Sequence, residues 1–173
     1  MSPPPADTKP TRTSRRSLTV WVCAVTGALV LGYGACTALS EVPARADADN
    51  AEQVRLGRQL YARECAACHG DKLQGQPNWR RRRPDGRLPA PPHDETGHTW
   101  HHSDDLLFVL TKRGPQAFAR PGYQSDMPAY GGKLTDREIW AVLAFIKSRW
   151  PRHVRDRQDA ITRRARDPKN RKR

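Results

Sequence analysis

Apolar residues recur at the three- and four-residue spacing of α-helices in three stretches of the chain. The first helix is predicted to begin after Asp47, because Asp49 and Asn50 are both good N-cap residues. That spacing predicts an amphipathic helix, and the residues on its apolar side are Val54, Gly57, Leu60 and Tyr61.

The second predicted helix has signals at both ends. Ser103 is an N-cap residue, and Asp104 and Asp105 suit the positive end of the helix dipole. Gly114 is placed to end the helix after the apolar stretch LLFVLTK.

The third predicted helix has the clearest pattern. Thr135 and Glu138 form a T-x-x-E capping box, and Pro151 stops the helix. The loops between the helices, 70–98 and 114–134, show no strand pattern, and loops this long in a compact domain usually wrap something. The apolar stripe of the third helix consists of Ile139, Val142, Leu143 and Ile146.

Composition leaves little apolar material for a core. The 173 residues allow one domain of about 100 residues with extensions. Hydrophobic residues make up 36% of the chain, and the mean hydropathy is −0.84. We therefore expect something other than side chains to fill the middle of the domain.

The net charge of +13 lies mainly at the two ends of the chain. Residues 47–150 have 16 Lys and Arg against 13 acids, whereas residues 151–173 have 10 against 3. No aromatic residue accompanies the C-terminal basic run, so a nucleic-acid partner is not expected. Residues 152–173 have almost no apolar content and predict a disordered basic tail.

An export or anchoring element is predicted near the N-terminus. Residues 1–17 form a disordered basic segment, 18–39 are uncharged and long enough to span a bilayer as a helix, and 40–49 form a linker. Three outcomes are open for residues 18–39: a lasting anchor, cleavage after Ala46, or lipidation at Cys36. The preceding arginines would stay in the cytoplasm, which places the rest of the chain on the periplasmic side of a bacterial membrane.

Cys65, Cys68 and His69 form a C-x-x-C-H pattern, which is typical of covalent attachment of c-type haem. Two thiols one helical turn apart can bond to the two vinyl groups on one edge of the porphyrin, and the adjoining imidazole can then bind the iron. A redox disulfide is disfavoured because no βαβ pattern surrounds the cysteines. A zinc site is disfavoured because the other cysteines, Cys23 and Cys36, lie in the hydrophobic segment.

Met127 is a candidate second ligand for the iron. It is the chain's only methionine besides Met1, and it lies in a loop with Pro128 after it rather than on a helical stripe. A thioether is a weak ligand that favours ferrous iron and so raises the reduction potential. It also fills the sixth position on the iron.

Residues 50–151 resemble a monohaem class I cytochrome c domain through CAACHG, MPAYGG and LTDREIWAVLAFIKSRWP, together with the first helix. The resemblance implies an all-α fold wrapped around one covalent haem c. Cys65 and Cys68 would be its covalent anchors, His69 the proximal ligand and Met127 the distal ligand. It implies a one-electron carrier without catalytic residues of its own, working alone or as a subunit of an oxidoreductase complex.

The resemblance also implies how the helices pack. The first and last helices would cross at Gly57, against residues 140–143, and the aromatic residues Tyr61, Trp140 and Phe145 would belong to the core. A proline carbonyl would accept the proton of the His69 imidazole. Pro77 is nearest in sequence, with Pro89, Pro91 and Pro92 as alternatives.

The segment GHTWHH concentrates three of the six histidines around a tryptophan. With Asp94 and Glu95 nearby, it could form a surface metal site, or one histidine could replace Met127 on the iron. A third possibility is that these side chains donate hydrogen bonds to a haem propionate at the haem edge. The residues concerned are His98, Trp100, His101 and His102.

The run Arg80 to Arg83 is interpreted either as a solvated loop or as a docking patch for an acidic partner. The expected partners are a membrane dehydrogenase or a terminal oxidase. A haem enzyme or gas sensor with an open or histidine-ligated sixth position is the alternative function. A thiol-disulfide exchanger, which would carry no haem, is a third.

Overall fold

A computed structural model describes residues 45–170, and within that range the chain forms helices and loops without a β-strand. The predicted segments 1–17 and 18–39, with Cys36, lie outside the described residues. None of the helices that are described is long and apolar enough to cross a membrane. The five helices are α1 (Ala51–Glu64), α2 (Ala66–His69), α3 (Asp104–Arg113), α4 (Asp136–Ser148) and α5 (Arg152–Arg166), with 3₁₀ turns at Thr99–His101 and Pro115–Phe118.

The three helices predicted from the sequence are confirmed, with the expected caps. The side chain of Asn50 accepts a hydrogen bond from the backbone of Gln53 at 2.9 Å, and Thr135 and Glu138 form a reciprocal capping box. Ser103 caps α3 through the backbone N–H of Leu106. These caps satisfy backbone N–H groups that have no acceptor inside the helix.

Helices α1 and α4 cross in close contact at Gly57. A Cβ atom built at this position would lie 1.9 Å from the carbonyl oxygen of Ala141, so only glycine allows the approach. Next to the crossing, the rings of Tyr61 and Phe145 lie 5.3 Å apart between centroids. The expected crossing and the burial of Tyr61, Trp140 and Phe145 are both confirmed.

The prediction of a disordered tail is wrong for Arg152–Arg166, which form α5. Of the three residues that α5 buries, only Val154 is apolar. The other two, Gln158 and Thr162, bind the start of α3: Gln158 Nε2 donates to Asp104 Oδ1 at 2.7 Å, and Asp104 N donates to Thr162 Oγ1 at 3.0 Å. Specific polar contacts therefore hold α5, and a search for apolar content does not detect them.

A buried ion pair lies beside these contacts and joins α3 to α4. Lys147 Nζ lies 3.0 Å from both carboxylate oxygens of Asp104, and each of the two side chains is 5% exposed. Asp159 of α5 also binds the same ammonium group at 3.0 Å. A buried charge is costly unless it is paired, so Lys147 of α4 must keep its partners on the other two helices. These ion pairs therefore join α3, α4 and α5 at one point.

Candidate functional site

The two cysteines lie where α1 gives way to the short helix α2. Cys65 is half-buried and Cys68 is exposed, and both thiols are free. Burial, assisted by the nearby Glu64 and Cys68, raises the pKa of the Cys65 thiol to about 12. Two free thiols one helical turn apart, one of them open to solvent, fit a group that is attached along one edge.

The orientation of His69 is fixed by one hydrogen bond. Its Nδ1 lies 2.9 Å from the carbonyl oxygen of Pro91. A carbonyl oxygen can only accept, so Nδ1 carries the proton and the lone pair is on Nε2. Burial lowers the pKa of His69, the smaller effect of the Pro91 bond opposing it, which favours the neutral ring that binds metals. Among the four prolines considered from the sequence, Pro91 is the acceptor.

A second histidine, which sequence reasoning did not single out, packs on the first. The rings of His69 and His93 are stacked with centroids 3.9 Å apart. His93 Nδ1 lies 2.8 Å from Thr99 Oγ1, and the His93 carbonyl accepts from Trp150 Nε1 at 2.7 Å. Burial, and then the neighbouring His69, lower the pKa of His93 well below its usual value. Its position in the sequence, two residues after Pro91, was the available signal that it lies close to His69.

The loop of Met127 is held against the end of α1. Tyr130 donates its hydroxyl hydrogen to the carbonyl of Glu64 at 2.8 Å, immediately before Cys65. The backbone N–H of Tyr130 donates to Thr111 of α3 at 3.1 Å. Met127 itself is half-buried against the hydrophobic core. These contacts bring the methionine's loop to the part of the chain that carries the cysteines.

The histidine-rich segment packs on itself and on α5. His98 and His101 stack at 4.9 Å, Trp100 and His101 stack at 3.7 Å, and the carbonyl of His102 accepts from Gln158 at 3.1 Å. Trp100 Nε1 donates to the carbonyl of Glu95, so its N–H is already used. Among residues 45–170, no group of three or more His, Cys, Asp or Glu side chains could hold a metal ion. The interpretation as an independent metal site is therefore not supported.

The arginine run is divided by its contacts. Arg80 lies over the ring of Trp79 at 4.2 Å, and Arg82 donates to the carbonyl of Gly86 at 2.6 Å. Arg83 donates instead to Asp126, the residue before Met127, at 3.0 Å. One of the four arginines thus links the loop that follows the C-x-x-C-H motif to the loop of Met127.

Comparison with known proteins identifies a family for this chain. A family model described as cytochrome c matches residues 54–150, which is more than half of the chain. Neither a curated protein nor a solved structure matches. The matched range contains both cysteines, His69, Pro91 and Met127.

Proposed function

The chain belongs to the cytochrome c family, and from that membership we propose a one-electron carrier whose single haem c has histidine and methionine as axial ligands. Family membership implies a covalently attached c-type haem and, in general, electron transfer. The bound haem supplies an iron that alternates between ferric and ferrous forms. No catalytic acid, base or nucleophile of the chain is required.

The single observation that carries the proposal is the hydrogen bond from His69 Nδ1 to the Pro91 carbonyl. It fixes the tautomer and orientation of the ring, as supporting contacts do for metal-bound histidines in general. His69 Nε2 is then the proximal iron ligand, and Cys65 and Cys68 form the two thioether bonds. The stacked, half-buried His93 limits rotation of the His69 ring.

Met127 is the proposed distal ligand. The hydrogen bond from Tyr130 to the carbonyl of Glu64 supports this assignment. It attaches the loop of Met127 to the residue that directly precedes Cys65. Burial raises the pKa of the Tyr130 hydroxyl to about 12, with smaller contributions from Cys65 and Glu64, so the group remains a donor at neutral pH. A bound thioether raises the reduction potential and keeps other small molecules off the iron.

The test is to produce the protein together with cytochrome c maturation machinery. We expect a pyridine haemochrome spectrum of the c type, resistance of the haem to acid extraction, and a reversible one-electron titration. A high-spin ferric spectrum that changes when small ligands are added would favour the haem enzyme or gas sensor instead. Protein without haem colour would favour thiol-disulfide exchange.

For the location of the domain, we propose that residues 18–39 remain as an anchor at the periplasmic face of the membrane. The start of the described chain supports an uncleaved segment over cleavage after Ala46. Ala46 is 6% exposed, and Gln53 binds both the Arg45 carbonyl at 3.0 Å and the Asp47 N–H at 2.8 Å. Cleavage at that point would remove a buried residue and one of these bonds. The intact mass of the membrane-extracted protein distinguishes anchor, cleaved and lipidated forms.

For partners, we propose a membrane dehydrogenase or terminal oxidase with an acidic docking face. Exposed arginines support this: Arg80 and Arg81 in the loop, and Arg157, Arg163 and Arg164 on α5. Such pairs associate faster at low ionic strength because salt screens the attraction. A rate of electron transfer that does not change with salt would exclude this mode of docking.

A further inference from the structure

We propose that Asp126, held by Arg83 and Arg87, is a positioning residue that keeps Met127 on the iron. The proposal rests on the His/Met ligation proposed above and deepens it. Its basis is a set of contacts that joins the loop supporting His69 to the loop supplying Met127. We call these three charged residues the Asp126 clamp.

The clamp binds both oxygens of one carboxylate. Arg83 Nη1 donates to Asp126 Oδ2 at 3.0 Å, and Arg87 Nη1 donates to Asp126 Oδ1 at 2.5 Å. Arg87 Nε also donates to Gln124 at 3.3 Å. The three charged side chains are about 40% exposed. A single surface pair contributes little, but two guanidinium groups on one carboxylate form a network of fixed geometry.

Arg83 also connects the clamp to the loop whose Pro91 carbonyl holds His69. Arg83 Nη2 donates to Gln76 Oε1 at 2.7 Å, and that oxygen also accepts the N–H of Ala90 at 3.1 Å. The backbone N–H of Gln76 donates to the Ala90 carbonyl at 2.9 Å. Ala90 directly precedes Pro91, whose carbonyl holds His69. Hydrogen bonds, together with the Ala90–Pro91 peptide bond, therefore connect the His69 support to the residue before Met127.

The clamp complements the attachment on the other side of Met127. Tyr130 fixes the loop three residues after the methionine, and Asp126 fixes it one residue before. A thioether binds iron weakly, so its occupancy depends on a loop that is held in place when the bond breaks. Without the clamp, the chain before Met127 would lose its link to the loop that supports His69, and the open form of the iron site would become more populated.

The experiment compares two disruptions of the clamp in the haem-loaded protein. R83Q/R87Q removes both arginines, and D126N removes the carboxylate charge with little change of shape. We expect each to weaken the far-red Met-to-iron band of the ferric protein and to tighten imidazole binding by about fivefold to tenfold, because more of the protein is in the open form. The triple variant should add little, since all three side chains form one unit.

The matched control is R80Q/R81Q, which removes the same charge from the same loop without touching Asp126. It should leave the band and the imidazole affinity unchanged. R83K/R87K keeps the charge and should give an intermediate effect. All variants should be folded, as judged by helical circular dichroism, because the changed side chains lie at the surface.

Three different results would overturn the proposal. A wild-type band that persists equally in D126N and R83Q/R87Q, with unchanged imidazole affinity, removes the role of the clamp while leaving the ligation intact. A wild-type protein that lacks the band removes the methionine ligation and the clamp's role with it. Equal effects from R80Q/R81Q would assign the change to net charge and also contradict the clamp.

Discussion

Gly57 of α1 lies so close to the carbonyl oxygen of Ala141 in α4 that a Cβ atom would fall 1.9 Å from it. The contact fixes the distance between α1 and α4, and Cys65 lies about two helical turns after Gly57, immediately after α1 ends. Helix packing at one glycine therefore places the C-x-x-C-H motif relative to the core.

Gly57→Ala should destabilise the protein. Alanine favours a helix over glycine by about 1 kcal/mol, but overpacking costs about 1–3 kcal/mol, and an overlap with a backbone atom leads to the upper end of that range. We expect a net loss of about 2 kcal/mol in the free energy of unfolding, measured by denaturant titration. Gly132→Ala is the control, because nothing lies within 4 Å of its Cβ position. Equal stability of the two variants would contradict the close crossing.

Tyr130→Phe should loosen the loop of Met127. It removes the hydrogen bond to the Glu64 carbonyl and leaves that acceptor unpaired, at a cost of about 1 kcal/mol in unfolding free energy. We also expect a weaker far-red band in the ferric protein. Tyr123→Phe, a half-buried tyrosine elsewhere in the same loop, serves as the comparison. Identical spectra in Tyr130→Phe and wild type would show that this bond does not hold the ligand.

Asp104→Ala should strongly destabilise the fold. It leaves the buried ammonium group of Lys147 with only the half-exposed Asp159, and breaking a buried pair costs about 3–5 kcal/mol. Asp105→Ala removes the neighbouring, half-exposed pair with Arg166, and should cost at most about 1 kcal/mol. Thermal unfolding of both variants measures the difference. A small, equal loss in both would mean that the Lys147 pair does not join the helices.

The capping role of Glu138 should make the stability of the fold depend weakly on pH. Hydrogen bonds from the backbone and side chain of Thr135 lower the pKa of Glu138 below its usual 4.5. The ionised form therefore stabilises the fold above the pKa of the unfolded chain, and this contribution disappears as pH falls through the folded pKa. Glu138→Gln keeps the cap but not the charge, and should cost about 0.5 kcal/mol at neutral pH. The difference in unfolding free energy between Glu138→Gln and wild type should vanish at acidic pH. A difference that stays constant down to low pH would contradict a role for the ionised carboxylate.

The sequence was sufficient for those features that depend on local pattern. Caps at Asn50, Ser103 and Thr135 follow from short-range hydrogen bonding, and the crossing at Gly57 follows from the family resemblance. Helix α5 was missed because Gln158 and Thr162 are buried through partners more than fifty residues away. The stacking of His93 on His69 and the binding of Asp126 by Arg83 are equally non-local. Contacts between residues so far apart in sequence cannot be predicted from the periodicity of the chain.

The most direct test of His/Met ligation is the ferric spectrum of the haem-loaded protein beside that of Met127→Ala. We expect the wild type to show the weak far-red Met-to-iron band, and the variant to lose it, with a lower midpoint potential and an iron that binds added imidazole readily. An unchanged distal-ligand spectrum and potential in Met127→Ala would contradict the assignment. The distal ligand would then have to be sought among His98, His101 and His102.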